Sequence, residues 1–168
     1  MTETAKITIR SASVTDGEAL ARIYNPYILD TIVTFEEEPV TGAAMGARII
    51  EVAALSLPWL VGEAGGRIIG YAYATRWRTR VSYRYSTETT VYLEPGQSGH
   101  GYGSQLYAAL VDELRSAGIH AAIGGISLPN AASVALHEKL GFSKVAQFPE
   151  VGFKLGRWVD VGYWQKLL

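Results

Sequence analysis

The chain has 168 residues, of which 48% are hydrophobic and 18% charged, which is enough for one domain with a sizeable core and too little for two full domains. Fifteen Lys and Arg against 16 Asp and Glu give a formal net charge of -1, so the chain as a whole lacks the positive field of a nucleic-acid or anionic-membrane binder. The complete absence of cysteine excludes disulfides, thiolate metal sites and cysteine nucleophiles, and suits a reducing compartment.

Met1 to Arg10 shows neither the basic start nor the apolar run of a signal peptide, and no segment reaches the apolar length of a membrane span. The expectation is a single cytoplasmic domain over 1–168 with no membrane or nucleic-acid partner. Ile7 and Ile9 predict a first strand. Thr15, with Glu18 three residues on, forms a capping-box pattern before an amphipathic helix carrying Leu20, Ile23, Tyr24, Tyr27 and Ile28, disturbed at Pro26. A second helix starts at Thr41, presents Met45, Ile49 and Val52, and ends before Pro58.

The period then changes. Trp59 to Ala64, Arg67 to Thr75 and Ser86 to Leu93 predict an antiparallel meander, with a Gly65-Gly66 turn and an Arg-rich connection. Helical spacing returns from Gly103 through Leu106, Leu110 and Leu114 to a stop at Gly118. Ala121 to Ile126 is a short strand. Asn130 caps a helix carrying Val134, Leu136 and Leu140, which Gly141 ends, and two strands near Val145 to Leu155 and Trp158 to Leu167 close the chain. The order β-α-α-β-β-β-α-β-α-β-β implies one α/β (α+β) domain with a mixed sheet.

The stretch from Glu88 to Ser104 is the most informative: a strand runs into Gly99, Gly101 and Gly103, which open a helix. Glycines there expose successive backbone N–H groups at a helix N-terminus, a site suited to a pyrophosphate; the same spacing also suits a plain flexible loop. No lysine lies between Arg67 and Lys139, which removes a Walker loop. The dinucleotide fingerprint lacks its third glycine, since Ser104 and Leu106 stand at the required spacings. Gly96 to His100 fails as a nucleophile elbow, and the histidines show no zinc-binding pair, so no metal is expected.

Strand, Gly101-Tyr102-Gly103 loop and helix resemble motif A of the GCN5-related N-acetyltransferases (GNAT), whose loop Gln/Arg-x-x-Gly-x-Gly/Ala binds the acetyl-CoA pyrophosphate. Ser98 stands where Gln or Arg is usual, with Gln97 one place early. Further segments are similar to the phosphinothricin/methionine sulfone N-acetyltransferases: Thr-Val-Tyr-Leu from Thr90, Gly-Ile-Ser-Leu-Pro-Asn ending at Asn130, Leu-His-Glu-Lys-Leu-Gly-Phe ending at Phe142, and the run from Gly152 to Gln165. The resemblance implies the GNAT fold, a mixed sheet of about six to seven strands flanked by helices. It also implies acetyl-CoA as donor, the α-amine of a small amino-acid analogue as acceptor, direct transfer, and a homodimer. The aromatic run with Trp158, Tyr163 and Trp164 suits an interface or core alike.

The residues then take candidate roles. An α-amine has a pKa of roughly 7.7–8.0 and must be neutral to attack, so a base is needed. Glu88 matches the family's glutamate, acting directly or through water; on residue type alone it is equally a solvated glutamate paired with Arg84. His137 follows it, or packs around the cofactor. Tyr107 is a candidate acid for the leaving thiolate, or a core aromatic. Backbone N–H groups near Tyr92 and Leu93 suit the oxyanion. Arg76, Arg78, Arg80 and Arg84 crowd nine positions; Arg78, Thr79 and Arg80, with Glu88, Thr89 and Thr90, match the substrate loop, guanidinium forks suiting a carboxylate and a second oxyanion. Tyr83 and Phe35 are candidate pocket walls. For the donor the resemblance implies Val91, Tyr92 and Leu93 along pantetheine, Gly99, His100, Gly101, Tyr102, Gly103 and Ser104 around the pyrophosphate, and Asn130 and Lys139. Acetylation of a different amine, or a non-catalytic acyl-CoA sensor, are the alternatives.

Overall fold

The computed structural model describes residues 6–168; the beginning of the alternating N-terminal run lies outside them. Among the described residues seven strands and four α-helices follow the predicted order. Strands β1 (Thr8–Ser11), β2 (Trp59–Ala64), β3 (Arg67–Arg76), β4 (Ser86–Leu93), β5 (Ala121–Leu128), β6 (Ser143–Lys154) and β7 (Arg157–Leu167) form one sheet in the order β1-β2-β3-β4-β5-β7-β6. All neighbours are antiparallel except β4 and β5.

Helix α3 (Tyr102–Ser116) packs on one face, and α1 (Gly17–Asp30) with α2 (Gly42–Ala54) covers the other. The strand period of two divides the side chains between them: Leu60, Ala72 and Ala74 join Leu106, Leu110 and Leu114 of α3, while Trp59, Val61 and Tyr71 join Leu20, Ile23 and Met45. Helix α4 (Ala131–Lys139) lies by β5.

Local signals explain most ends. The Thr41 hydroxyl accepts the Ala44 N–H at 3.1 Å, and the Asn130 side chain accepts that of Ser133 at 3.1 Å, so both helices start where their cap residues stand. The Thr15/Glu18 capping box does not form. Instead the Asp16 carboxylate accepts the Ser13 N–H at 2.7 Å and takes a bidentate pair from Arg10, so Asp16 serves a short 3-10 turn ahead of α1. Pro26 does not break α1, which runs on to Asp30; Pro26 removes a single N–H donor, and the buried stripe from Leu20 through Tyr24 to Ile28 outweighs that loss. In α4 the fully buried side chain is His137, while Val134, Leu136 and Leu140 are only partly covered. Among the described residues no helix is long and apolar enough to cross a membrane.

Candidate active site

The site arises from an interruption in the sheet. β4 and β5 pair only over Ser86↔Ala121, Thr87↔Ala122 and Glu88↔Ile123. Beyond Glu88, β4 stays with β3 as far as Leu93 and β5 stays with β7 as far as Leu128. The two strands therefore diverge and a wedge opens between them. The Ser86 carbonyl accepts from Trp77 N–H and the Glu94 N–H donates to the Ile69 carbonyl, both toward β3. With the alternation of a strand, the backbone groups of Tyr92 face β3 too, and those of Val91 and Leu93 face the wedge. Of the two N–H groups considered for an oxyanion, that of Leu93 is turned to the opening and that of Tyr92 is not.

Two cavities meet at the wedge. One, of about 480 Å³, is lined by Phe35, Glu88, Thr89, Thr90, Asn130 and His137, and by residues assigned no role in the site by the sequence: Tyr24, Thr34, Tyr73, Ser127, Val151, Val161 and Tyr163. The other, of about 880 Å³, is a groove lined by Val91, Tyr92, Leu93, Ser98, Gly99, His100, Gly101, Tyr102, Gly103, Ser104, Asn130 and Lys139, joined by Tyr27, Ser133 and Leu136. Val33, Val91, Tyr92, Asn130 and Ser133 line both, so the groove opens into the smaller cavity. Gly101, at φ 80°, turns the chain into α3; the first N–H bonded back along the helix is that of Gln105, to the Gly101 carbonyl. The N–H groups of the first turn are thus unused within α3 and open on the groove.

Glu88 stands where the strands part. Burial pushes its carboxyl above the usual carboxylate range, opposed by the Arg78 guanidinium. Arg84 does not pair with it: its guanidinium lies 4.6 Å from the Tyr85 ring centre and donates to the Val81 carbonyl. A Gly124-Gly125 pair in β5 makes room on both faces of the sheet. A Cβ at Gly125 would lie 3.4 Å from Glu88 Oε1 and 3.2 Å from the Tyr163 ring, whereas one at Gly124 would lie 2.2 Å from His137 Nε2 and 3.3 Å from the Tyr107 hydroxyl. Successive strand residues face opposite sides, so the carboxylate and the imidazole approach the wedge from opposite faces. Two glycines inside an apolar strand were the signal available in the sequence for this close approach.

The His137 Nδ1 lies 2.8 Å from the Ser133 carbonyl; it therefore carries the proton, and the buried Nε2, which has no hydrogen-bond partner, presents a lone pair. Burial lowers the ring's pKa, so it stays neutral. Tyr107 is fully buried and lines neither cavity. Its hydroxyl meets the Thr89 hydroxyl at 2.6 Å, and Thr89 in turn donates to the Ile123 carbonyl at 3.3 Å. Thr89 has one proton to give, so the Tyr107 proton points at Thr89, and burial pushes the phenol's pKa up.

The arginine loop is not inside the cavity. Arg78, Thr79, Arg80 and Tyr83 lie on the exposed connection between β3 and β4 and line neither opening. Arg78 stacks on Trp77, 4.2 Å from the ring centre, and Trp77 meets Tyr163 at 5.5 Å. This places a cation at the rim on the Glu88 side.

Comparison with known proteins agrees with this geometry. An acetyltransferase (GNAT) domain model matches residues 9–162. The chain is 39% identical to the L-methionine sulfoximine/L-methionine sulfone acetyltransferase of Salmonella typhimurium over 95% of this chain and 93% of that protein. It is 37% identical to the phosphinothricin N-acetyltransferase of Streptomyces coelicolor over the full length of both. A Salmonella typhimurium acetyltransferase structure with acetyl-CoA superposes with a TM-score of 0.94 at 38% identity, covering 98% of this chain and 95% of that one. With its interrupted sheet, glycine-opened helix and matching domain, the chain belongs to the GNAT acetyltransferases and is an N-acetyltransferase.

Proposed function

We propose that the chain transfers acetyl from acetyl-CoA to the α-amine of a small amino-acid analogue of the phosphinothricin, methionine sulfoximine and methionine sulfone class. The observation that carries this reading is the junction of the groove with the cavity that holds Glu88: a long opening bordered by backbone groups meets, at Val91, Tyr92 and Asn130, a smaller one holding a carboxylate of raised pKa. Pantetheine amides match the edge of β4 at Val91 and at the Leu93 N–H as an added strand would; the Leu93 carbonyl already accepts from the Tyr27 hydroxyl at 2.7 Å. The loop from Gly99 to Ser104 suits the pyrophosphate, with His100, Asn130 and the Lys139 ammonium bordering the same groove. Glu88 takes the amine proton, directly or through water, as nitrogen attacks the thioester carbonyl; the Leu93 N–H suits the oxyanion, and the C–S bond breaks as the tetrahedral carbon collapses. Neutral His137 offers an acceptor at the opposite wall. Tyr107 acts through Thr89, which does border the cavity, and this replaces direct proton donation to the thiolate.

Arg78 at the rim is the proposed partner of the acceptor's carboxylate, with Thr79, Arg80 and Tyr83 beside it. Coenzyme A release against a panel of amino-acid analogues, N-terminal peptides and polyamines tests the reading: turnover confined to peptides or polyamines would replace the acceptor, and donor binding without turnover would favour a sensor. Within that assay Arg78→Ala raises the acceptor KM about tenfold or more, the worth of a charge-assisted pair, and leaves the acetyl-CoA KM unchanged. Equal loss with acceptors lacking a carboxylate would remove this role.

A homodimer in the cytoplasm completes the proposal. β6 is an edge strand, and Val145, Phe148, Phe153 and Trp158 of its hairpin with β7 are each more than half exposed, an apolar face that a second copy would cover. Light scattering should give twice the chain mass; a monomer at micromolar concentration would contradict it.

A further inference from the structure

The 31–41 segment linking α1 to α2 brings Val33, Thr34 and Phe35 to the acceptor cavity without regular structure of its own. Two residues of β6 hold it. A Cβ on Gly152 would lie 2.3 Å from Cζ of Phe35 and 2.6 Å from its Cε2, so the tip of the ring rests on bare backbone. Gly152 does not have the left-handed φ that would by itself call for glycine; the missing side chain answers to the ring alone. Two positions on, Lys154 is 3% exposed, and its Nζ donates to the Thr34 carbonyl at 2.7 Å and reaches the Tyr27 carbonyl, in the last turn of α1, at 3.5 Å.

A buried ammonium without a carboxylate partner is costly unless its donors are used. Lys154 forms no salt bridge among the described residues; what it satisfies instead is the loop backbone and a helix C-terminus, where positive charge is favoured. From the opposite side the Tyr24 hydroxyl bonds the Thr34 hydroxyl at 2.7 Å. Residues two apart on a strand share a face, so Gly152 and Lys154 grip neighbouring residues of the loop together. The same strand also supplies a cavity wall. Its pairing with β7 slips between Phe148 and Gly152, and Asp160 pins the displaced stretch by accepting the Glu150 N–H and the Gln147 amide, each at 2.9 Å, which leaves Val151 on the cavity.

We infer that the Phe35–Gly152 contact, held by Lys154, determines which acceptor side chains the cavity admits: compact ones such as a sulfone pass, and longer or aromatic ones meet the Phe35 ring. This rests on the acetyltransferase reading of the cavity given above. The ring already touches the β6 backbone and cannot retreat further. A methyl group at Gly152 displaces the ring, which is 41% exposed and borders the cavity, and so reshapes the cavity at Phe35; removal of the ring lengthens it.

The test is a double-mutant cycle of Gly152→Ala and Phe35→Ala, scored as kcat/KM for methionine sulfone and for phenylalanine at saturating acetyl-CoA. Gly152→Ala should lower kcat/KM for methionine sulfone about tenfold or more with the acetyl-CoA KM unchanged, and Phe35→Ala should shift the ratio of the two acceptors about tenfold toward phenylalanine. In the Phe35→Ala background the Gly152→Ala change should alter either value less than about twofold, because the methyl then has no ring to displace. Should Phe35→Ala not fold by thermal melting, Phe35→Leu, which also vacates the ring tip, takes its place. Lys154→Met should raise the acceptor KM and spare the donor KM. Equal losses from Gly152→Ala in both backgrounds would overturn the clasp alone. A folded wild type that binds acetyl-CoA but acetylates neither amino acid nor any analogue would overturn the acceptor reading, and the clasp with it.

Discussion

Glu88→Gln is expected to lower kcat by about 10²–10⁴-fold, the range of a positioned general base, while acetyl-CoA affinity stays within about twofold, since the groove owes nothing to this side chain. Glutamine keeps the shape and loses the basic carboxylate oxygen. The pH profile supplies the sharper test. Burial raises the Glu88 carboxyl above the usual carboxylate range and Arg78 only partly opposes it. The ionised form is the base, so wild-type kcat/KM rises as pH increases through that raised pKa, and rises again at higher pH as the acceptor amine loses its proton. In the variant the lower limb disappears and the amine limb remains. Wild-type turnover with the lower limb intact would remove Glu88 from the mechanism.

Gly101→Val is expected to weaken acetyl-CoA binding about tenfold or more with little change in acceptor KM. Gly101 holds φ 80° at the mouth of α3, a conformation that costs an L-residue roughly 1–2 kcal/mol and a β-branched one more. Valine shifts the free loop toward negative φ, turning the first-turn N–H groups away from the groove, and donor binding has to supply the energy that brings them back; about 1.4 kcal/mol corresponds to tenfold in affinity. Titration calorimetry with acetyl-CoA reads this directly. Undiminished affinity would show that the loop amides are not the pyrophosphate contacts.

Much of the fold was legible because its signals are local. Thr41 and Asn130 cap the helices they precede, and the alternation from Trp59 to Leu93 sorts residues onto two faces. The groove did not follow from such signals: Val91 to Leu93, Gly99 to Ser104, Asn130 and Lys139 line one opening, and it was the family resemblance, not a local pattern, that grouped them. What could not be read was set by partners distant in the chain. Nothing in the period of Ser86–Leu93 says that pairing with β5 ends at Glu88. Nothing around Lys154 says that its ammonium is spent on the Thr34 carbonyl, 120 positions away. The arginine loop shows the same limit: charge and aromatic content are visible in a sequence, but whether a connection lines a cavity or stands at its rim depends on the elements packed around it. Pro26 shows a local signal overruled, one lost donor weighing little against a buried helix face.

The wedge has a consequence for how such a protein can change. The proposed donor groove is drawn mostly by main-chain amides, by the point where two strands separate and by bare glycines, whereas the proposed acceptor cavity is drawn by the side chains of Phe35, Tyr73, Val151 and Tyr163, with Arg78 outside it at the rim. Backbone contacts survive most substitutions on β4, and side-chain contacts do not. One scaffold can therefore keep a common currency of acyl donor while its clientele of amines drifts with a handful of exchanges on the hairpin, the 31–41 loop and the rim.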